Sequence, residues 1–106
     1  MEIVFQIHDA PVSEHMKKRA ELALRKAARR AQRPQDAVIR FQVDGTVKRV
    51  ELTLHTATGK RHVAKSDAAY FGTAIADAAR KLTMQLDHTK RTPKARARML
   101  ARRGGA

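Results

Sequence analysis

No cysteine occurs anywhere in the 106 residues of this chain. That absence removes disulfides, thiolate nucleophiles and thiolate zinc sites together, and it fits a reducing compartment, with the cytoplasm as the economical expectation. Long apolar runs are missing as well. The chain opens Met1-Glu2-Ile3-Val4-Phe5-Gln6, an acidic residue followed by a short alternating segment, so neither a secretory signal nor a membrane span is expected. Ser13 and Ser66 stand in no recognisable nucleophile elbow and no Gly-rich phosphate loop occurs, so no enzyme is expected. Acidic side chains are scarce: 10 Asp and Glu stand against 23 Lys and Arg, a formal net charge of +13 with an isoelectric point near 11.3.

A field of that strength favours an extended polyanion as partner, nucleic acid above all. Solubility alone is the competing explanation, but interspersed signs and a smaller net charge would serve it. The length is that of one domain, with one modest core and little room for a large buried active-site cavity.

Periodicity supplies the elements. Residues 2–8 alternate, with Ile3, Phe5 and Ile7 on one face, the period-two signature of a strand that Pro11 closes. Ser13 with Glu14 makes an N-terminal cap, and Met16, Ala20, Leu24, Ala27 and Ala31 then share one helical face, predicting a helix that ends near Arg33-Pro34. Ala37 to Val43 alternates again, with Ile39, Phe41 and Val43 on one side, and Asp44-Gly45 offers a hairpin turn into a strand through Val50, Leu52 and Leu54. Thr58-Gly59 turns the chain into a last strand through Val63, and a two-residue loop there would set His55 opposite His62. Ile75, Ala79, Leu82 and Leu86 mark a second helix, with Asp67 or Ser66 available to cap it and Thr92-Pro93 to end it.

The order is β-α-β-β-β-α. It predicts an α+β domain over residues 1–92 in which a four-stranded mixed sheet carries both helices packed on one face. The first two strands should pair in parallel through a right-handed crossover and the others antiparallel. The opposite face would carry Gln6, Arg40, Gln42, Arg49, Glu51, Thr53 and His55, a polar set. Residues 93–106 continue a stretch that holds seven basic residues from Lys90 on and no acidic one, so a basic tail, disordered when unbound, is expected. Removing those seven charges leaves +6 for residues 1–89, so the folded part is basic by itself.

The cations concentrate on the helices. Helix one carries Lys17, Lys18, Arg19, Arg25, Lys26, Arg29 and Arg30, with Arg33 just beyond, against Glu14 and Glu21. Such density can neutralise successive phosphates and release condensed counterions, whereas a merely solvated helix face normally mixes signs to gain i,i+4 pairs. On helix two, Asp77, Arg80, Lys81, Met84, His88 and Arg91 point outward, and cations in its last turns also suit the helix macrodipole. The candidate RNA-binding residues are therefore Lys17, Lys18, Arg25, Lys26, Arg29, Arg30, Arg80, Lys81, His88, Lys90 and Arg91. His8, His15, His55, His62 and His88 form no close ligand pair, so neither a metal nor another cofactor is expected; only His55 and His62 would be cross-strand neighbours, most simply an exposed polar pair.

The order of elements, with the stretch Ala74-Ile75-Ala76-Asp77-Ala78-Ala79-Arg80-Lys81-Leu82-Thr83-Met84-Gln85-Leu86, resembles the ribosome hibernation promoting factor and ribosome-associated inhibitor family, also called sigma-factor modulation proteins. The resemblance spans about residues 1–92 and is closer to the short, hibernation-promoting type, because the tail is basic and no second, dimerisation domain is seen. It implies a cytoplasmic translation inhibitor that binds the small ribosomal subunit and its rRNA between head and body, where messenger and transfer RNA sit. A second, ribosome-dimerising factor is a further candidate partner, and the unbound protein is expected to be monomeric. Lys17, Lys26 and Arg29 fall where the family has basic groups on helix one, and Lys81 matches the family lysine on helix two. Ala23 and Met84 stand where family members carry a base, and the Asp-x-Tyr opening helix two is here Tyr70-Phe71-Gly72. A general double-stranded RNA- or DNA-binding module is the alternative, although such domains usually begin with a helix. A membrane-surface role for helix one is less suited, because its apolar face is mostly alanine.

Overall fold

The alternating and helical segments become six elements in the computed structural model, which describes residues 1–90: β1 (Glu2–His8), α1 (Glu14–Ala28), β2 (Pro34–Asp44), β3 (Val47–Thr56), β4 (Arg61–Ala68) and α2 (Phe71–Lys90). They form one mixed sheet in the order β1-β2-β3-β4, with β1 and β2 parallel and the other neighbours antiparallel. Both helices pack on one face of it. The β-α-β-β-β-α domain expected from the sequence is therefore present, and the expected tail, residues 93–106, lies outside the described residues.

The covered face is built by the inward positions of each strand. Ile39 and Phe41 on β2, and Val50, Leu52 and Leu54 on β3, are fully enclosed, meeting Leu24 of α1 and Ile75 and Leu82 of α2. Each such side chain contributes about 1.5–3 kcal/mol by leaving water. The Phe41 ring lies 6.5 Å from Phe5 in a stacked arrangement and 5.3 Å from Phe71 edge-on, which ties β1 and the start of α2 to the centre of the sheet. Helix α1 buries mainly Ala20, Ala27 and Ala28 around Leu24, and small residues there let it lie close to its neighbours.

Local chemistry sets most boundaries. The Ser13 hydroxyl oxygen accepts the Met16 N–H at 3.1 Å and starts α1 as expected. The helix stops earlier than the Arg33-Pro34 boundary predicted from sequence. Its last turns tighten, with Arg30 N–H donating to Ala27 and Ala31 N–H to Ala28, and Arg33 adopts a left-handed φ of 52° before Pro34 opens β2. Ser66 and Asp67 do not cap α2 either. Both lie in β4, and α2 begins only at Phe71, with the Tyr70 carbonyl accepting the Ala74 N–H at 3.1 Å.

The β3–β4 hairpin differs from the two-residue loop by one residue. Thr56 N–H donates to the Lys60 carbonyl and Gly59 N–H to the Thr56 carbonyl, both at 3.0 Å, so Ala57, Thr58 and Gly59 form a three-residue loop with Gly59 at φ 83°. One extra residue shifts the register: His55 faces Arg61, and His62 faces Leu54. Because side chains alternate with period two, the expected histidine pair is split between the two faces. His55 bonds Asp36 through Nδ1 at 2.7 Å, while burial, helped by nearby Lys60, holds the His62 imidazole below its ordinary pKa.

Candidate nucleic-acid interface

Two contacts show that α1 and α2 run side by side in the same direction. Near the start of α2 the Arg19 guanidinium lies against Gly72, where a Cβ would stand 2.7 Å from Nη1. At the other end Arg30 donates from Nη1 to both carboxylate oxygens of Asp87, at 2.9 and 3.0 Å. Lys17, Lys18 and Arg19 lie near the start of α1, and the C-terminal ends of both helices, with Arg25, Lys26, Arg29 and Arg30 on the α1 side, share one end of the layer. The negative ends of both macrodipoles lie there too, which makes crowding of cations less unfavourable.

The predicted residues fall into distinct groups. The side chains of Lys18, Lys26 and Arg29 are exposed and make no hydrogen bond or ion pair among the described residues. Arg25 is paired with Glu21 at 3.1 Å along the helix, and Arg30 with Asp87 across the helices. Lys17 is set apart. It bonds Glu14 at 2.9 Å with its side chain 27% exposed, and it lies on the flank of α1 rather than on the outermost stripe of Lys26 and Arg29. On α2, Arg80 bonds Asp77 at 2.7 Å, and Lys81 donates to the Lys65 carbonyl at 3.2 Å and lies 3.3 Å from Asp77. His88 is exposed in the last turns of α2, Lys90 ends that helix, and Arg91 lies outside the described residues.

Asp77 decides how much α2 can offer. Its carboxylate accepts the Ser66 hydroxyl at 2.6 Å as well as Arg80 and Lys81, and these three donors, the Ser66 hydroxyl first, hold it well below the ordinary carboxylate range. It is ionised at neutral pH and offsets part of the Arg80 and Lys81 charge. The unpaired positive charge of the described interface therefore belongs mostly to α1. The exposed pairs are no strong barrier to binding, since a surface ion pair contributes only about 0–1 kcal/mol and a phosphate can replace the carboxylate.

Sequence reasoning alone does not see the work of α2 on β4. Lys81 and Gln85 donate to the carbonyls of Lys65 and Val63, the latter at 2.7 Å, so one flank of α2 covers the free edge of the sheet. Lys81 is thus partly a structural residue. The Asp77, Arg80, Lys81 spacing of three and four is a readable signal for its local pairing; the Ser66 contact is not, because it joins residues from separate elements. Among the described residues no group of three His, Asp or Glu is placed to hold a metal ion, and no helix is long and apolar enough to cross a membrane.

A mixed four-stranded sheet with two parallel helices on one face, and surplus cations on the outer side of those helices, defines a small α+β class with one strongly basic layer. Residues 3–94 match the sigma 54 modulation protein / S30EA ribosomal protein family, and the chain belongs to that ribosome-associated family. Among solved structures it is similar to a ribosomal subunit interface protein from Coxiella burnetii, with a TM-score of 0.76 and 18% identity over 87% of this chain and 100% of the other. It is also similar to the N-terminal domain of Thermus thermophilus Protein Y, with a TM-score of 0.71 and 20% identity over 83% of this chain and 98% of that domain. At those identities the two structures establish a shared fold. No curated protein gives a significant sequence match.

Proposed function

We propose that the chain is a cytoplasmic, non-enzymatic translation inhibitor that docks its helix layer on rRNA of the small ribosomal subunit, occupying the region used by messenger and transfer RNA. The observation that carries this reading is the side-by-side alignment of α1 and α2, with Lys26 and Arg29 exposed and unpaired beside Arg25 and Arg30 at their C-terminal end, Lys18 exposed nearer the start of α1 and Arg80 midway along α2. Family membership supports the ribosome as partner, and the Coxiella burnetii neighbour is itself named a ribosomal subunit interface protein. Binding would draw on counterion release from phosphates, with the seven cations from Lys90 onward adding reach.

Sedimentation of the protein with ribosomes and isolated subunits through a sucrose gradient, at two salt concentrations and with free duplex RNA as competitor, tests this. Co-sedimentation with the small subunit that survives the duplex, together with inhibition of translation in a reconstituted system, is the expected result. Equal loss to any RNA would instead favour a general nucleic-acid-binding module.

A further inference from the structure

Helices cover one face of the sheet; the other carries no layer among the described residues. The register arranges that open face into rows crossing all four strands. One row is Val4, Val38, Thr53 and Val63, with Val4 45% exposed. The rows beside it hold four acidic and four basic side chains, so this face is neutral in a chain whose net charge is +13. A neutral face with an apolar row suits a protein surface and not a polyanion. Arg40 and Glu51, of opposite charge, stand directly across from each other in the β2–β3 register.

We infer that this open face is the contact surface for a second copy of the chain, stacked sheet on sheet about a two-fold axis that runs along the strands between β2 and β3. This docking is separate from the RNA-binding reading and uses the opposite side of the molecule. Such an axis sets β1 opposite the second copy's β4, and β2 opposite its β3, within the same row. Arg40 then faces Glu51 of the second copy, and Glu51 faces its Arg40, so two pairs of opposite charges meet across the interface. In the outer row Glu2 faces Arg61, and Asp36 faces His55. In the apolar row Val4 meets Val63 and Val38 meets Thr53. None of these oppositions brings like charges together. A two-fold axis across the strands would instead set Lys65 against Arg61, and charge complementarity therefore selects the first arrangement.

The cationic helix layers end up on the outside of the pair, held apart by two sheets about 10 Å from each other, farther than the screening length of about 8 Å in physiological salt. The contact is small. Four strands about 4.8 Å apart and about seven residues long cover roughly 450 Å² per copy, the range of weak, concentration-dependent association.

Sedimentation equilibrium of the full chain from about 10 µM to about 1 mM reads this directly. The native chain is expected to self-associate, and Arg40→Glu and Glu51→Arg each to weaken that association about ten-fold or more by placing like charges face to face. Mixing the two variants is expected to restore it. The carboxylate introduced at position 40 of one variant then meets the guanidinium introduced at position 51 of the other, and the unaltered Glu51 of the first meets the unaltered Arg40 of the second. A bond made within one chain predicts no such rescue. Circular dichroism checks that the variants are folded; if either is not, cross-linking replaces the charge test. The chain has no cysteine, so a mixture of Val38→Cys and Thr53→Cys chains reports the interface through a disulfide joining the two variants, against a Lys60→Cys control on the hairpin loop. A native chain that stays monomeric at every concentration, or a mixture in which neither rescue nor preferential cross-linking appears, overturns the proposal.

Discussion

Asp77 shows how one side chain can set both stability and the charge available for binding. Its three donors lower its pKa, and Arg49 does the same to Asp67 through a bond of 2.7 Å. A carboxylate whose folded pKa lies below its unfolded value stabilises the fold above the unfolded pKa, near 4. That contribution is lost as pH falls through the folded value. Thermal unfolding followed from pH 7 down to about pH 2 should therefore show stability declining below about pH 4, and Asp77→Asn should flatten that decline. An unchanged slope in the variant would show that the Ser66, Arg80 and Lys81 contacts do not persist in solution. The same substitution removes a negative charge beside two cations, so affinity for RNA should rise while stability at neutral pH falls.

Elements are positioned by details of one or two residues. The loop of Ala57, Thr58 and Gly59 fixes which faces His55 and His62 occupy, and it relies on Gly59 at φ 83°. No atom lies within 4 Å of the place a Cβ would take there, so Gly59→Ala isolates the backbone term. We expect a loss of about 1–2 kcal/mol in urea unfolding, the strain of a left-handed alanine, with the sheet unchanged. Helix α2 illustrates the same scale differently. Lys81 and Gln85 are charged or polar residues of a surface helix, yet both donate to edge-strand carbonyls. Lys81→Ala should therefore lower stability as well as RNA affinity, whereas Lys26→Ala should lower affinity alone, and comparing the urea midpoints of the two variants separates these roles.

At the scale of the whole molecule, charge is segregated between the two faces. The helix layer carries the unpaired cations, and the open sheet face balances acidic against basic groups. Polyelectrolyte binding through the helix layer should make the logarithm of the affinity fall linearly with the logarithm of salt concentration. Replacing Lys18, Lys26 and Arg29 together by alanine should reduce that slope by roughly 0.7–0.9 for each phosphate contact removed, without shifting the urea midpoint. A slope equal to that of the native chain would remove these three residues from the interface.

Fold class, strand and helix order, the Ser13 cap and most of the core were legible in the sequence, because alternation of period two and repeats of three and four residues are local consequences of backbone geometry. The excess of positive charge was legible for the same reason: it needs only counting. Tertiary structure decided which cations are available. Lys17, Arg25, Lys26 and Arg30 look equivalent along α1, but Glu14 and Glu21 engage two of them locally, Asp87 of another helix engages the third, and Lys26 is left unpaired. The length of the β3–β4 loop, the Ser66–Asp77 bond and the opposition of Arg40 and Glu51 were likewise settled by the packing of separate elements. Sequence periodicity carries the face a residue belongs to; it does not carry which distant residue will stand opposite, since that depends on register and helix alignment fixed only when the whole core closes.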